Sequence, residues 1–426
     1  MLNTRSITNG FSVITGPSHS HRLRHAIRTE QVPNFNCSVA GLGGMPIWNE
    51  RLGRYRDGFG RGIHLVGDFR FGNKVLETTI SRDEISSGKM DSLGIDKALI
   101  SEQNDKLLYE AAIQTVKRLI ASHPEDQFIF WDLSIREMLA RQQGRYCESG
   151  QYQHPTWNLA TVLAEFDGSA IDTSDILTHG QGFHVDGSAH PSFLGFMYLL
   201  SKTQNANVSA RQLNAIVKRE MLRVYLSASD HGQQKEVHFF GTSRFIKHAI
   251  SLVKSGAISL PTEISLSVEM PTQISDQVRY VFCPPYFNGP TADVIAKKIT
   301  RSADYLWLTK NTKHYSLCMF DQWATNQIKM RRRSNEDEKS KIIQISELES
   351  LIGDNSHEAA LSEIRRSGAM VELGETVTPS TYGIIATILR FGYDANEDFA
   401  WSLYSRMRDN VYSAVMGIPV HTYDRK

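Results

Sequence analysis

The sequence predicts an α/β protein with a parallel sheet in each of two halves. Three observations carry this prediction. Short apolar runs alternate with longer stretches of helical period, the pattern of strands joined by crossover helices. The alternation then restarts near residue 229. Among 426 residues, 41% are hydrophobic and 22% charged, which excludes general disorder.

Taken in order, Phe11–Thr15 (FSVIT) is a strand candidate ended by Gly16-Pro17-Ser18, and His19–Glu30 reads as a helix. Ile63–Val66 (IHLV) is a second buried strand, ended by Gly67-Asp68. Leu107–His123 carries apolar positions at helical spacing, Gln127–Leu133 (QFIFWDL) is a third strand, and Phe193–Lys202 is the helix that closes the unit. Ser209–Tyr225 reads as a helix and Ser227–Gln234 as a polar linker, which places the halves at residues 1–228 and 229–426. In the second half, Val237–Phe240 (VHFF) is a strand ending at Gly241-Thr242-Ser243, and Arg244–Lys254 is helical. Val278–Phe282 and Tyr305–Thr309 (YLWLT) are its further strands. The charged run Lys329–Lys341 reads as a solvated loop or helix face.

Four pairs of segments match in the same order and point to an internal duplication. FSVITGPSHSHRLRHAI sits against VHFFGTSRFIKHAI, and FNCSVAGLGGM against EISLSVEM. HLVGDFRFGN sits against YVFCPPYFNG, and HPSFLGFMYLL against TPSTYGIIATILR.

Composition narrows the partners. With 47 Lys+Arg against 46 Asp+Glu, the net charge of +1 creates no long-range field for nucleic acid or an anionic membrane. Cys37, Cys147, Cys283 and Cys318 are far apart and form no CxxC pair, against a disulfide scaffold or zinc ribbon. The opening MLNTRSITNGFSVITG has no apolar stretch of a secretory signal, and no run of about 18 apolar residues predicts a membrane span. The expectation is a soluble, cytoplasmic protein with no nucleic-acid or membrane partner.

One constellation carries chemistry. A serine at the junction of a buried strand and a helix, as in Gly16-Pro17-Ser18-His19, has its hydroxyl at the C-terminal edge of the sheet. There the helix N-terminus can stabilise an oxyanion, though a serine in that place also serves as a simple helix cap. Serine is a weak nucleophile and needs a base oriented by a carboxylate. In Val185-Asp186-Gly187-Ser188-Ala189-His190-Pro191-Ser192, one loop presents both His190 and Asp186. Two segments offer oxyanion donors. Ser38–Gly44 is glycine-rich, letting backbone N–H groups approach a substrate, and Gly67–Asn73 ends in an amide side chain.

These segments resemble blocks I, II, III and V of the SGNH (GDSL-like) hydrolase superfamily, over roughly residues 8–205. The resemblance implies a flavodoxin-like three-layer α/β/α fold, and two tandem SGNH-like domains once the second half is included. It implies hydrolysis or transfer of acyl groups on small or carbohydrate-linked esters, with no metal or other cofactor. Carried over by position, Ser18 is the nucleophile, His190 the general base and Asp186 its orienting carboxylate. The Ser18 amide, Gly41 or Gly43, and Asn73 form the oxyanion hole. Three positions depart from the family pattern. Pro17 replaces the usual Asp, Gly67 and Asn73 are six apart where the family has Gly-x-Asn-Asp, and Asp186 precedes His190 by four residues instead of three.

The second half resembles the family in degenerate form, with Ser243 at the nucleophile position, Glu269 in the glycine block and Thr378 where the histidine would be. Thr378 cannot act as a base near neutral pH, so residues 229–426 read as a non-catalytic copy. The competing reading is a ligand-binding or scaffold protein built from two inactive copies. A metal-dependent hydrolase using His184, Asp186, His190 and the cluster His19, His21 and His25 matches no known ligand spacing, and the cluster reads as surface histidines. Trp48 and Arg70 are candidate substrate contacts, by stacking and by holding an anionic group. Trp131 reads as core or sheet edge, and Cys37 as a small buried hydrophobe.

Overall fold

The computed structural model describes residues 11–28, 32–33, 37–41, 56, 58–67, 102–143, 158–184, 189–204, 206, 208–230, 236–254, 256–285, 287, 292–312, 315–318 and 381–417. The chain divides into two compact units, one spanning Met1–Ile216 and Tyr412–Lys426, the other Val217–Val411.

The first unit is built on a four-stranded parallel sheet of order β2-β1-β3-β4, with β1 at Val13–Gly16, β2 at Ser38–Gly41, β3 at Gly62–Leu65 and β4 at Gln127–Ile129. β1 and β3 are buried along their whole length, as expected for inner strands covered on both faces. An isolated parallel bridge between Phe128 and Ala170 carries the pairing beyond β4. Helices α1 (Ser18–Arg28), α2 (Glu102–Ser122), α3 (Trp131–Gln143), α4 (Leu159–Glu165), α5 (Ile176–His179) and α6 (Phe193–Thr203) complete it. α1 buries Leu23 and Ala26 at i, i+3 while His21 and Arg28 stay exposed.

α7 (Ala210–Ser229) follows. The division between the units falls within α7. The second unit has a sheet of order β6-β5-β7-β8, again wholly parallel, from β5 (Val237–Phe240), β6 (Ile264–Ser267), β7 (Arg279–Phe282) and β8 (Tyr315–Leu317). α8 (Arg244–Lys254), α9 (Ala292–Thr300), α10 (Ala303–Asn311) and α11 (Thr381–Tyr393) are its helices, with α12 (Glu397–Met416) as far as Val411. No described helix in either unit is long and apolar enough to cross a membrane.

Two expected strands differ. QFIFWDL is strand only to Ile129 and turns into α3 at Trp131, where Asp132 sits in the first helical turn and pairs with Arg136 one turn on. YLWLT is not a strand but the middle of α10. Ser302 caps that helix by accepting from Tyr305 N–H at 3.4 Å, and burial of Tyr305 and Leu308 beside a 55% exposed Leu306 follows a helical period. β2 and β6, as long as β1 and β5, are edge strands with one buried residue each and so present no buried apolar run.

The two sheets share one register once their glycines are superposed. A Cβ on Gly16 (φ +156°) would lie 2.7 Å from Leu65 O, and one on Gly241 (φ +130°) 2.3 Å from Cys283 O. That equivalence matches His64 to Phe282, because Thr15 pairs with His64 and Phe240 with Phe282. The alignment of HLVGDFRFGN with YVFCPPYFNG, which set His64 against Tyr280, therefore shifts by two residues.

Candidate active site

Ser18 is the first residue of α1, two positions past the end of the central strand. The turn that places it is compact. Gly16 leaves no room for a side chain against Leu65, and Gly67 admits none because a Cβ there would meet Pro17 at 2.6 Å. Pro17 O accepts from Ser20 N–H at 3.2 Å and Ser20 Oγ at 2.9 Å, closing the first helical turn. β1 continues to β2 on one side while β3 lies on the other, so Ser18 stands at the point where the strand order reverses, where open α/β sheets place their ligands. Its side chain is half-buried and reachable.

His190 arrives from the far end of the unit on a loop held at both flanks. Ser192 N–H donates to Phe183 O at 2.9 Å, Ser192 Oγ donates to Gly182 O at 2.5 Å, and His184 and Pro191 form an antiparallel bridge. Ser192 also caps α6 by accepting from Gly195 N–H at 3.2 Å. Gly195 is required where it stands, since a Cβ there would lie 2.2 Å from Phe183 O. The outcome joins two residues 172 apart in sequence: His190 Nε2 lies 3.0 Å from Ser18 Oγ. That is hydrogen-bond reach for a base and its nucleophile.

Three further groups surround the pair. Trp131 donates its indole N–H to Ala189 O at 2.7 Å. His19 is buried, not on the surface as its cluster suggested, with its ring centroid 5.4 Å from that of His190 and its Nε2 3.7 Å from Asp132 Oδ1. Asp132, also buried, is paired with Arg136. Of the other two histidines in that cluster, His21 is exposed and His25 half-buried.

Behind the nucleophile turn runs a buried polar chain. Thr15 Oγ1 lies 2.7 Å from His64 Nδ1, and His64 Nε2 lies 2.9 Å from Asp126 Oδ2. Asp126 also accepts from Arg56 at 2.8 Å and from Gly62 N–H at 2.8 Å. Burial by itself would raise the Asp126 carboxyl, but the hydrogen bonds from His64, Arg56 and Gly62 overcome it and hold the group well below the usual carboxylate range. Every member is buried, so this second hydroxyl–imidazole–carboxylate arrangement has no access to a substrate.

Gly41 ends β2 in register with Gly16 and is closely covered, a Cβ there meeting Ser20 Oγ at 2.0 Å. Asp186, Gly43, Asn73, Arg70 and Trp48, with Thr378 and the run 329–341, lie outside the described residues. Cys37 is half-buried, and burial pushes its thiol up to about 12, which makes it a poor nucleophile at neutral pH. Among the described residues, no group of three or more His, Cys, Asp or Glu side chains is disposed to hold a metal ion. A cavity of about 430 Å³ is lined by Gln127, Asp172, Asp175 and Lys202. It lies by the first residue of β4 and the last turn of α6, an 11-residue helix about 16 Å long, and so at the edge opposite Ser18 and His190.

In the second unit, Ser243 Oγ accepts from Ile246 N–H at 3.1 Å as the cap of α8. The only titratable ring on β5, His238, is bracketed by Ser265 Oγ at 2.7 Å and Ser267 Oγ at 3.0 Å, and Glu269 offers its backbone oxygen to Ser267 at 2.6 Å. Comparison with known proteins finds no matching family model, no matching curated protein and no matching solved structure.

The sequence reading did not assign Trp131, Asp132 or a buried His19 to the site. Trp131-Asp132 directly after an apolar run was the available signal, since a Trp followed by an acid suits a helix start near a sheet edge.

Proposed function

We propose that the first unit is a serine-dependent esterase or O-acyltransferase of SGNH type, acting on a small or carbohydrate-linked ester. The observation that carries this reading is the 3.0 Å approach of His190 Nε2 to Ser18 Oγ at the C-terminal edge of the central strand. The parallel β2-β1-β3-β4 order is compatible with a flavodoxin-like sheet.

In this mechanism His190 Nε2 takes the Ser18 proton as Oγ attacks the ester carbonyl. The oxyanion is met by backbone N–H groups at the start of α1, with Gly41 or Gly43 and Asn73 as further donors by resemblance. The carbonyl re-forms as the C–O bond to the leaving alcohol breaks, and His190 returns the proton to that alcohol. Water or an acceptor hydroxyl, deprotonated by the same ring, then attacks the acyl-enzyme; the C–O bond to Ser18 Oγ breaks and His190 returns the proton to Ser18. These two acceptors separate esterase from transferase. Asp186 is proposed as the carboxylate that orients His190. The second unit is read as a non-catalytic copy, because Thr378 stands where the base would be and cannot activate Ser243, whose buried hydroxyl accepts from Ile246 N–H.

The test is labelling with a fluorophosphonate probe, followed by mass mapping. Stoichiometric modification at Ser18, lost in a folded Ser18→Ala variant together with aryl acetate turnover, supports the reading. No labelling of the wild type, or full activity in Ser18→Ala, overturns it in favour of a ligand-binding or scaffold role.

A further inference from the structure

We infer that Trp131 is a positioning residue for His190, holding the base in line with Ser18 through the carbonyl of the residue before it. This deepens the Ser18–His190 reading and rests on it. Four observations converge. The indole N–H of Trp131 donates to Ala189 O at 2.7 Å. Ala189 adopts φ +58°, a left-handed conformation that is unfavourable for a non-glycine residue and persists only where its surroundings impose it. The far edge of the indole abuts α6, since a Cβ on Gly195 would come within 3.1 Å of Trp131 Cη2. The indole therefore bridges the turn that precedes His190 and the helix that follows it.

The platform beneath the indole is itself tied to the sheet. Asp132 N–H donates to Val66 O at 3.4 Å, and Val66 N–H donates to Ile129 O at 2.8 Å, so the first turn of α3 is anchored where β3 and β4 end. The same turn places Asp132 3.7 Å from His19 Nε2, on the flank of the His190 ring. A strained turn on the base, one strong donor to it and an anchored helix start form a single mechanical path from the sheet to His190. A buried Trp needs a partner for its N–H in any case, so the two roles make different predictions. A structural indole affects melting alone, whereas a positioning indole affects the base.

The experiment replaces Trp131 by Phe, and separately by benzothienylalanine, which keeps the ring outline and deletes only the N–H. Should Trp131→Phe fail to fold, the isosteric variant carries the test. Fluorophosphonate labelling of Ser18 is followed across pH, and the ring resonances of His190 are titrated by NMR. The expected result is labelling about ten- to a hundredfold slower at the plateau, with a displaced pH midpoint and shifted His190 resonances. Unchanged labelling rate, pH midpoint and His190 resonances, with only a lower melting temperature, overturn the inference. If the wild type is not labelled, the proposed reaction fails while the His190 titration still decides the role of Trp131: a shifted titration sustains it and an unshifted one ends it.

Discussion

The two units solve the same topological problem with opposite interiors. Both have a parallel sheet with the central strand leading through a glycine to a Ser-headed helix. Superposed on Gly16 and Gly241, Thr15 corresponds to Phe240, His64 to Phe282, and Asp126 to Tyr315. The first unit fills these places with a hydroxyl, an imidazole and a carboxylate, closed off by Arg56. The second fills them with aromatic rings. Phe240 and Phe282 stack at 5.3 Å, and Tyr315 meets Tyr305 edge-on at 5.9 Å, within a cluster that includes Ile295, Ile299 and Leu317.

The difference teaches that this sheet does not need internal charge. Buried ionic groups recover their desolvation only with excellent geometry, and apolar replacements are often as stable or more so. Aromatic pairs add about 0.5–1.5 kcal/mol beyond the area they bury. The polar chain of the first unit therefore answers to something other than folding topology, and it lies directly behind the nucleophile turn: Thr15 is three residues before Ser18.

Four variants break or sharpen the contrast. The largest effect is expected from His190→Ala, which removes the base on which the first unit depends. Labelling of Ser18 falls by about 10²–10⁴-fold with the melting temperature nearly unchanged, read by probe kinetics beside calorimetry. A labelling rate that survives the change would make the units alike after all.

Next is Asp126→Ala. It leaves the buried Arg56 without its carboxylate and costs about 3–5 kcal/mol, measured by denaturant unfolding. The wild type carries the matching pH signature. Because the folded Asp126 is held below its unfolded value, its contribution is complete above the ordinary carboxylate pKa of about 4 and drains away as pH falls below that. Hydrogen exchange in acid should therefore accelerate in β1 and β3 well before β5 and β7. Equal acceleration in both sheets would remove Asp126 from this account.

The third, Phe282→His, imports one half of the polar chain into the aromatic unit. The new imidazole faces Phe240 and Leu317, with no carboxylate at the Tyr315 position, and loses about 1–3 kcal/mol as an unsatisfied buried polar group. Stability unchanged in urea titration would show that the second interior tolerates polarity as the first does.

Smallest is Ser243→Ala. Loss of one helix cap costs about 1 kcal/mol and leaves probe labelling untouched. Labelling that disappears with Ser243 would move the chemistry to the other unit.

How much of this was legible depends on how local each signal is. Gly16-Pro17-Ser18 marks a strand-to-helix turn within three residues, and Ser192 and Gly195 mark a cap within four, so the places of Ser18 and His190 could be read directly. YLWLT could not, because a short apolar run fits either period and the cap at Ser302 decides for the helix. His64 was hidden inside an apolar strand reading. Its partners Thr15 and Asp126 reach it from other segments, 49 and 62 residues away. The indole of Trp131 was read as packing because its acceptor, Ala189 O, lies 58 residues on.

The sequence by itself determined the alternation of strands and helices, the restart of that pattern in the second half, and the two turns that carry Ser18 and His190. These follow from backbone restrictions and capping, which act within a few residues. Only the tertiary structure decided that the two turns meet, 172 residues apart at one sheet edge, and that Trp131 and His19 flank the meeting point. The physical reason is that parallel pairing order, set by which buried faces satisfy one another, determines which loops share an edge. No local propensity records that order.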